Sequence, residues 1–194
     1  MARKTQITKE IILQAGLEML IESGYSAINI KTLSQRIGCS TQPLVWHFQN
    51  MDGLRKALAD YALTYANQKM CPTMPDAMDA FRQVGHAYIK IALEEPNLFH
   101  FVFLNGSASY PMGNSQMLID DEENIQLIQM IAGKFQISVQ KAGEYLQNTL
   151  IFTHGLATFV ATGMMHLSED EMLKLINQAG NTFLAAAGVS TNEL

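Results

Sequence analysis

Five histidines, eighteen Asp and Glu residues and two cysteines are the groups with which this chain could do acid, base or nucleophilic chemistry. Their spacing organises none of them into a catalytic set. There is no His-Glu-x-x-His, no Glu-x-x-His pair, no Gly-rich phosphate loop and no Gly-x-Ser-x-Gly elbow. His86, His100, His154 and His166 fall one per helix or boundary, so they meet only if the fold brings them together. Satisfied structural histidines explain such scatter better than a metal site. The four acids Asp120 to Glu123 point around a helix axis rather than converging on a cation, and they suit the positive start of a helix. The expectation is a chain that is not an enzyme, with no catalytic residues, no metal ligands and no cofactor.

A different chemistry, hydrogen bonding to another polymer, is offered by residues 29–48, NIKTLSQRIGCSTQPLVWHF. They read as two short helices around a tight turn at Gly38-Cys39-Ser40. Asn29 caps the first, from Ile30 to about Ile37, and Ser40 caps the second, from Thr41 to about His47. Gly38 supplies the left-handed residue that ends one helix just before the next. Pro43 sits in a first turn, where no intrahelical bond needs its missing N–H. This is the layout of a helix-turn-helix whose second helix enters the DNA major groove, although a purely structural helical hairpin has the same pattern.

The flanking elements are helical. Thr8 caps a helix through about Ser23, with Ile11, Ile12, Ala15, Met19 and Leu20 as its expected buried face. Asn50 caps a long helix from Met51 towards Met70, and the prolines at 72 and 75 break the chain after it. Further helices are expected over 76–93, 97–105, 120–135, 138–165 and 169–187, with Ser168 and Glu171 spaced as a capping box. Residues 105–117 have the composition of a loop, long enough either to cover a pocket or simply to cross the surface. The last two helices should run antiparallel. Their small residues, among them Ala157, Ala161, Gly163 and Gly180, suit either a homodimeric four-helix interface or the chain's own core.

At 194 residues and 48% hydrophobic content the chain can build a sizeable core. No run of about 18 apolar residues offers a membrane span, and the charged start MARKTQITKE lacks the apolar stretch of a signal peptide. Cys39 and Cys71 are too few for a disulfide framework, which fits a cytoplasmic protein. The net charge of −5 is unevenly spread. Residues 1–60 carry seven Lys/Arg against five Asp/Glu, a net of +2, while residues 61–194 carry six against thirteen, a net of −7. Only the first third could face phosphate comfortably.

The first 58 residues resemble the DNA-binding domain of the tetracycline-repressor (TetR) family of bacterial regulators. The likeness lies in the helix before Gly24-Tyr25, in Leu33-Ser34 followed by Gly38-Cys39-Ser40, and in Leu44, His47-Phe48, Asn50 and Leu54. Thr153-His154-Gly155-Leu156 resembles a His-Gly motif in the regulatory domain of one subgroup. The resemblance implies an all-α fold of about nine helices. Residues 1–50 would form a three-helix helix-turn-helix domain, and residues 51–194 a larger bundle for ligand binding and dimerisation. It further implies a homodimer joined through the last two helices, which places two recognition helices in successive major grooves of a double-stranded operator about 34 Å apart.

Carried over position by position, Thr41, Gln42, Pro43 and Trp46 would meet base edges or the sugar backbone, and Lys31 and His47 would hold phosphates. The chain departs from the family at Val45, usually a tyrosine, and at Met51, usually a lysine. Both usual residues contact phosphate, so weakened binding is expected, and a TetR-like binder of ligand or partner without DNA is the alternative. The excess of aromatic and Met residues in the second half suits a small apolar or amphipathic effector. Tyr65, Phe81, Tyr88, Phe99, Phe103 and Phe152 are its expected lining, with His154 as a polar anchor. Ordinary core is the competing role for each. On these expectations the chain is a ligand-responsive repressor.

Overall fold

The computed structural model describes residues 7–73, 76–104 and 122–190, and those residues are all-α. Nine helices are present among them: α1 Lys9–Ser23, α2 Ile30–Ile37, α3 Gln42–Phe48, α4 Met51–Met70, α5 Ala77–Glu94, α6 Pro96–Phe99, α7 Glu122–Phe135, α8 Val139–Ala161 and α9 Glu169–Ala186. A 3-10 turn, Tyr25–Ala27, precedes α2, and a π-helical turn, His100–Leu104, continues α6. The expected loop over 105–117 and the acids Asp120 and Asp121 lie outside the described residues. No described helix is long and apolar enough to cross a membrane.

The chain divides into two compact units. The first, called the head below, contains α1 to α4 and returns with α6 and its π-helical turn. The second, the bundle, contains α5, α7, α8 and α9. Within this unit α4 packs back onto α1. The Tyr61 hydroxyl donates to Gln14 at 2.9 Å, and a side chain at Gly16 would begin 3.3 Å from Leu58.

Local signals account for most of the head. Thr8 accepts a bond from Ile11 N and starts α1. Asn29 accepts from Lys31 N and Thr32 N while Thr32 returns a bond from Asn29 N, a complete capping box. Gly38, at φ 76° and ψ 34°, closes α2 in the left-handed conformation. Ser40 does not cap α3. Thr41 holds that position at φ −69° and ψ −16°, already helical, and no side chain caps the helix. The buried face of α1 is also rotated from expectation. Ile12 and Leu20 are buried, but so are Leu13, Gly16 and Leu17, while Ile11 is 37% exposed.

In the bundle, Met78, Ile128, Ile131, Ala132, Tyr145, Leu146 and Leu184 form one core. Helix α8 ends at Ala161, four residues before the expected Met165, because Gly163 turns the chain at φ 73°. The Ser168–Glu171 capping box then opens α9, with Glu171 accepting from Ser168 N at 2.8 Å. The Lys141 Nζ stands 3.3 Å from where a side chain at Gly188 would begin. The end of α9 therefore lies beside the start of α8, and the two run antiparallel. Ala157, Gly180 and Ala187 are buried within this unit, so these small residues serve the chain's own core.

Candidate nucleic-acid interface and the polar clusters beside it

The head presents α3 with one side inward and the other outward. Leu44 and Phe48 are buried at 0% and 6% exposure, and between them Val45 and Trp46 are 46% and 75% exposed. Gln42, Val45 and Trp46, spaced i, i+3 and i+4, make a single outward stripe, with Thr41 exposed just before it. Pro43 is half-buried. Lys31 is exposed in the first turn of α2. Of the six residues expected to meet DNA, four are thus exposed on the helix-turn-helix: Lys31, Thr41, Gln42 and Trp46.

His47 is placed differently. It is half-buried, and its Nε2 lies 3.1 Å from the carbonyl of Ile7. A carbonyl only accepts, so Nε2 carries the proton. The neutral ring then has no donor left for a phosphate, and only the doubly protonated ring grips one. The indole of Trp46 meets the His47 ring edge-on at 4.6 Å.

The exit from α3 is strained. Gln49 adopts φ 67° and ψ −52°, and Asn50 N donates to Phe48 O at 2.8 Å, which together make a γ-turn of the rare, left-handed kind. The turn brings the Phe48 carbonyl against α4. A Cβ at Gly53 would stand 2.2 Å from that oxygen, so only glycine fits. Asn50 completes the junction by accepting from Gly53 N at 2.9 Å.

Two arginines of the head are engaged away from α3, whereas Lys9 lies over the Phe48 ring of α3 at 5.9 Å. Arg36 makes two 2.8 Å bonds to Glu22 and an ion pair of 3.5 Å to Glu18. The bond to Arg36 holds the Glu22 carboxyl below its usual pKa. Arg55 lies over the Tyr25 ring at 5.3 Å, and burial raises the pKa of that phenol. Glu10 and Glu18 line an open groove of about 440 Å³ between α1, α2 and Tyr61, a face whose charge repels phosphate.

The seven residues expected to line an effector site fall in both units. Tyr65, Phe99 and Phe103 belong to the head. There Tyr65 bonds the side chain of Glu95, a residue that the sequence marks only as a helix boundary, and Phe99 bonds its carbonyl. Its Oε1 accepts from the Tyr65 hydroxyl at 3.0 Å and from Lys69 Nζ at 2.6 Å. Its Oε2 is buried and accepts no hydrogen bond among the described residues. Phe99 follows Glu95 by one helical turn and packs on Phe103 at 5.2 Å. Burial opposes the charge on Lys69, but the bonds to Glu95 and Tyr65 outweigh it and raise its pKa. The signal available in the sequence is a carboxylate before Pro96 within reach of a lysine, a pattern with no period to betray it.

Phe81, Tyr88, Phe152 and His154 belong to the bundle. The Tyr88 hydroxyl lies 2.6 Å from His154 Nδ1. Although His154 keeps much of its surface open, the packed protein around it lowers its pKa below 6.5, so the neutral ring is favoured near neutrality. Phe152 meets Phe183 edge-on at 6.3 Å, and Phe81 packs against the bundle core. No group of three His, Cys, Asp or Glu residues that could hold a metal ion occurs among the described residues.

Residues 12–58 match the family model described as bacterial regulatory proteins, tetR family. The HTH-type transcriptional regulator YvkB of Bacillus subtilis is 26% identical over 123 residues, covering 58% of this chain and 65% of that protein. The class C tetracycline repressor protein of Escherichia coli is 29% identical over 76 residues, covering 39% of this chain and 35% of the repressor. The matches thus span about two thirds and about one third of these relatives' own lengths. A crystal structure of a TetR variant from Acinetobacter baumannii AYE in complex with minocycline shares the fold. Its TM-score is 0.58 at 17% identity, over 93% of this chain and 96% of that one.

Proposed function

We propose that this chain, which belongs to the tetR family of bacterial regulatory proteins, is a cytoplasmic, ligand-responsive transcriptional repressor. Two copies would bind a palindromic operator, and a small, mostly apolar effector would release them. The observation that carries the reading is the outward stripe of α3, Gln42, Val45 and Trp46, displayed by a helix-turn-helix that the family match covers from end to end. Thr41 and Gln42 at the start of that helix reach bases, and Lys31 holds the backbone.

Dimerisation through α8 and α9 is supported by apolar side chains that the single chain leaves exposed. Ile151 and Phe159 on α8 are 51% and 45% exposed, and Met164 in the following turn is 72% exposed. Phe159→Glu should therefore yield a monomer in sedimentation.

The release mechanism uses α4. At one end it is joined to α3 through Asn50 and Gly53, and at the other Tyr65 and Lys69 hold Glu95. An effector that contacts Tyr65, Phe99 and Phe103 and favours one position of α4 would change how the recognition helices are presented. Within the bundle, the Tyr88–His154 pair is a separate polar contact for a ligand held by that unit alone.

Gel shifts of a duplex carrying the chain's own upstream region, run across a salt series, test the reading. A specific complex should form and weaken as salt rises. Lys31→Ala should flatten the log–log slope by about 0.9 for each phosphate that the lysine no longer neutralises. Val45 and Met51, which lack the hydroxyl and the charge with which the family grips phosphate, favour a second reading, a TetR-like binder that has given up DNA. Absence of any specific complex at low salt would select that second reading.

A further inference from the structure

We infer that the recognition helix reads its half-site through A·T pairs, with Gln42 on adenine and with Val45 and Trp46 against thymine methyl groups. The inference rests on the DNA-binding reading above and adds which bases are read. Three observations on the head carry it.

The first is what the outward stripe contains. Of its three residues one is an amide and two are apolar, and the apolar pair is exposed at 46% and 75%. An amide side chain matches the N6 and N7 edge of adenine with two hydrogen bonds, whereas the only apolar feature on the floor of the major groove is the C5 methyl of thymine. Exposed apolar surface beside such methyls leaves water on binding, and the same surface facing a guanine or cytosine edge would strip polar groups of their hydration without replacing it.

The second is what the helix lacks. Guanine is read most often by Arg or Lys pairing with O6 and N7. Residues 41–49 contain neither. The third is that the described arginines of the head are committed elsewhere. Arg36 is held by Glu22 and Glu18, and Arg55 lies over the Tyr25 ring. Lys31 is exposed, but it stands at the start of α2, not on the reading helix. Val45 therefore does more than omit a phosphate bond: in place of a hydroxyl it offers a compact apolar surface that a single methyl group can cover.

The test is selection of bound duplexes from a random pool by the full-length chain, followed by replacement of each thymine in the selected half-sites with uracil. Uracil keeps the O4 acceptor and removes only the methyl. The selected half-sites should be dominated by A·T pairs at the positions facing α3. Each methyl removed from a well-packed position should weaken binding roughly fourfold, and roughly sixteenfold where two copies each lose one. Val45→Ala or Trp46→Ala, both surface changes whose folding circular dichroism can check, should bind thymine and uracil duplexes with more nearly equal affinity. Half-sites with a G·C core, a neutral effect of uracil, or an undiminished uracil penalty in both variants would each overturn the inference while leaving DNA binding intact. Failure to enrich any duplex at low salt would overturn the DNA-binding reading itself, and this inference with it.

Discussion

A methyl group added at Gly53, in the head, would meet the carbonyl oxygen of Phe48 at 2.2 Å, while one added at Gly85, Gly133 or Gly155, in the bundle, would meet nothing within 4 Å. The head is held by backbone devices placed close together in sequence: the Asn29 box, Gly38 in the left-handed region, the turn at Gln49 and the glycine packed behind it. The bundle has such devices only at its helix ends, at Gly163 and in the Ser168–Glu171 box, and its middle is filled by side-chain volume around Ile131, Tyr145 and Leu146. Devices of the first kind fix angles between short helices, which a reading head needs. Volume filling fixes a core but tolerates change at its edges.

Substitutions at four residues distinguish the two units. Gly53→Ala should have the largest effect, destabilising the protein by about 3 kcal/mol or more, because a backbone oxygen rather than a flexible side chain must move. Calorimetric unfolding measures it, and a loss below about 1 kcal/mol would show that the α3–α4 junction yields. Asn29→Ala should cost about 1 kcal/mol through the broken capping box, again by unfolding midpoint. Gly133→Ala, exposed in α7 with open space around it, should instead stabilise by about 0.5 to 1 kcal/mol. If Asn29→Ala were neutral and Gly133→Ala harmful, the contrast between the two units would be reversed.

The smallest effect is that of pH on the bundle. His154 has its pKa lowered by burial, so at pH values below 6.5 the unfolded chain binds more protons there than the folded one. The stability it contributes is fully present above 6.5 and is lost as pH falls through its folded value. Unfolding midpoints between pH 7 and pH 5 should decline less in His154→Asn than in the parent chain. An identical decline would place the pH sensitivity at other groups.

How legible each part was follows the same division. The helix-turn-helix could be read because each of its signals acts within four residues: Asn29 on Lys31 and Thr32, Asn50 on Gly53. The face of α1 could not. Apolar residues surround that helix, so periodicity alone does not choose, and Leu33 and Leu58 choose by filling the space beside Gly16. Ser40 failed as a cap because Thr41 is already helical, and α8 ran short because a glycine read as a packing residue is a turn. The candidate sites divide likewise. The exposed residues of α3 follow from local pattern. The Glu95 cluster joins residues 26 and 30 apart, and the bond from His47 to Ile7 spans 40 positions, separations over which no sequence pattern reports.

The γ-turn at Gln49 has a consequence for how this protein can change over generations. A residue with a Cβ at φ 67° is held in a conformation that glycine adopts freely. Replacement by glycine is thus an easy route to a more robust fold, open to any selection for heat tolerance. The same replacement would let α3 swivel at its exit, so, on the DNA-binding reading proposed above, robustness gained there is expected to come with a blunter discrimination between operators. The strained residue marks a position where selection for endurance and selection for accuracy pull in opposite directions.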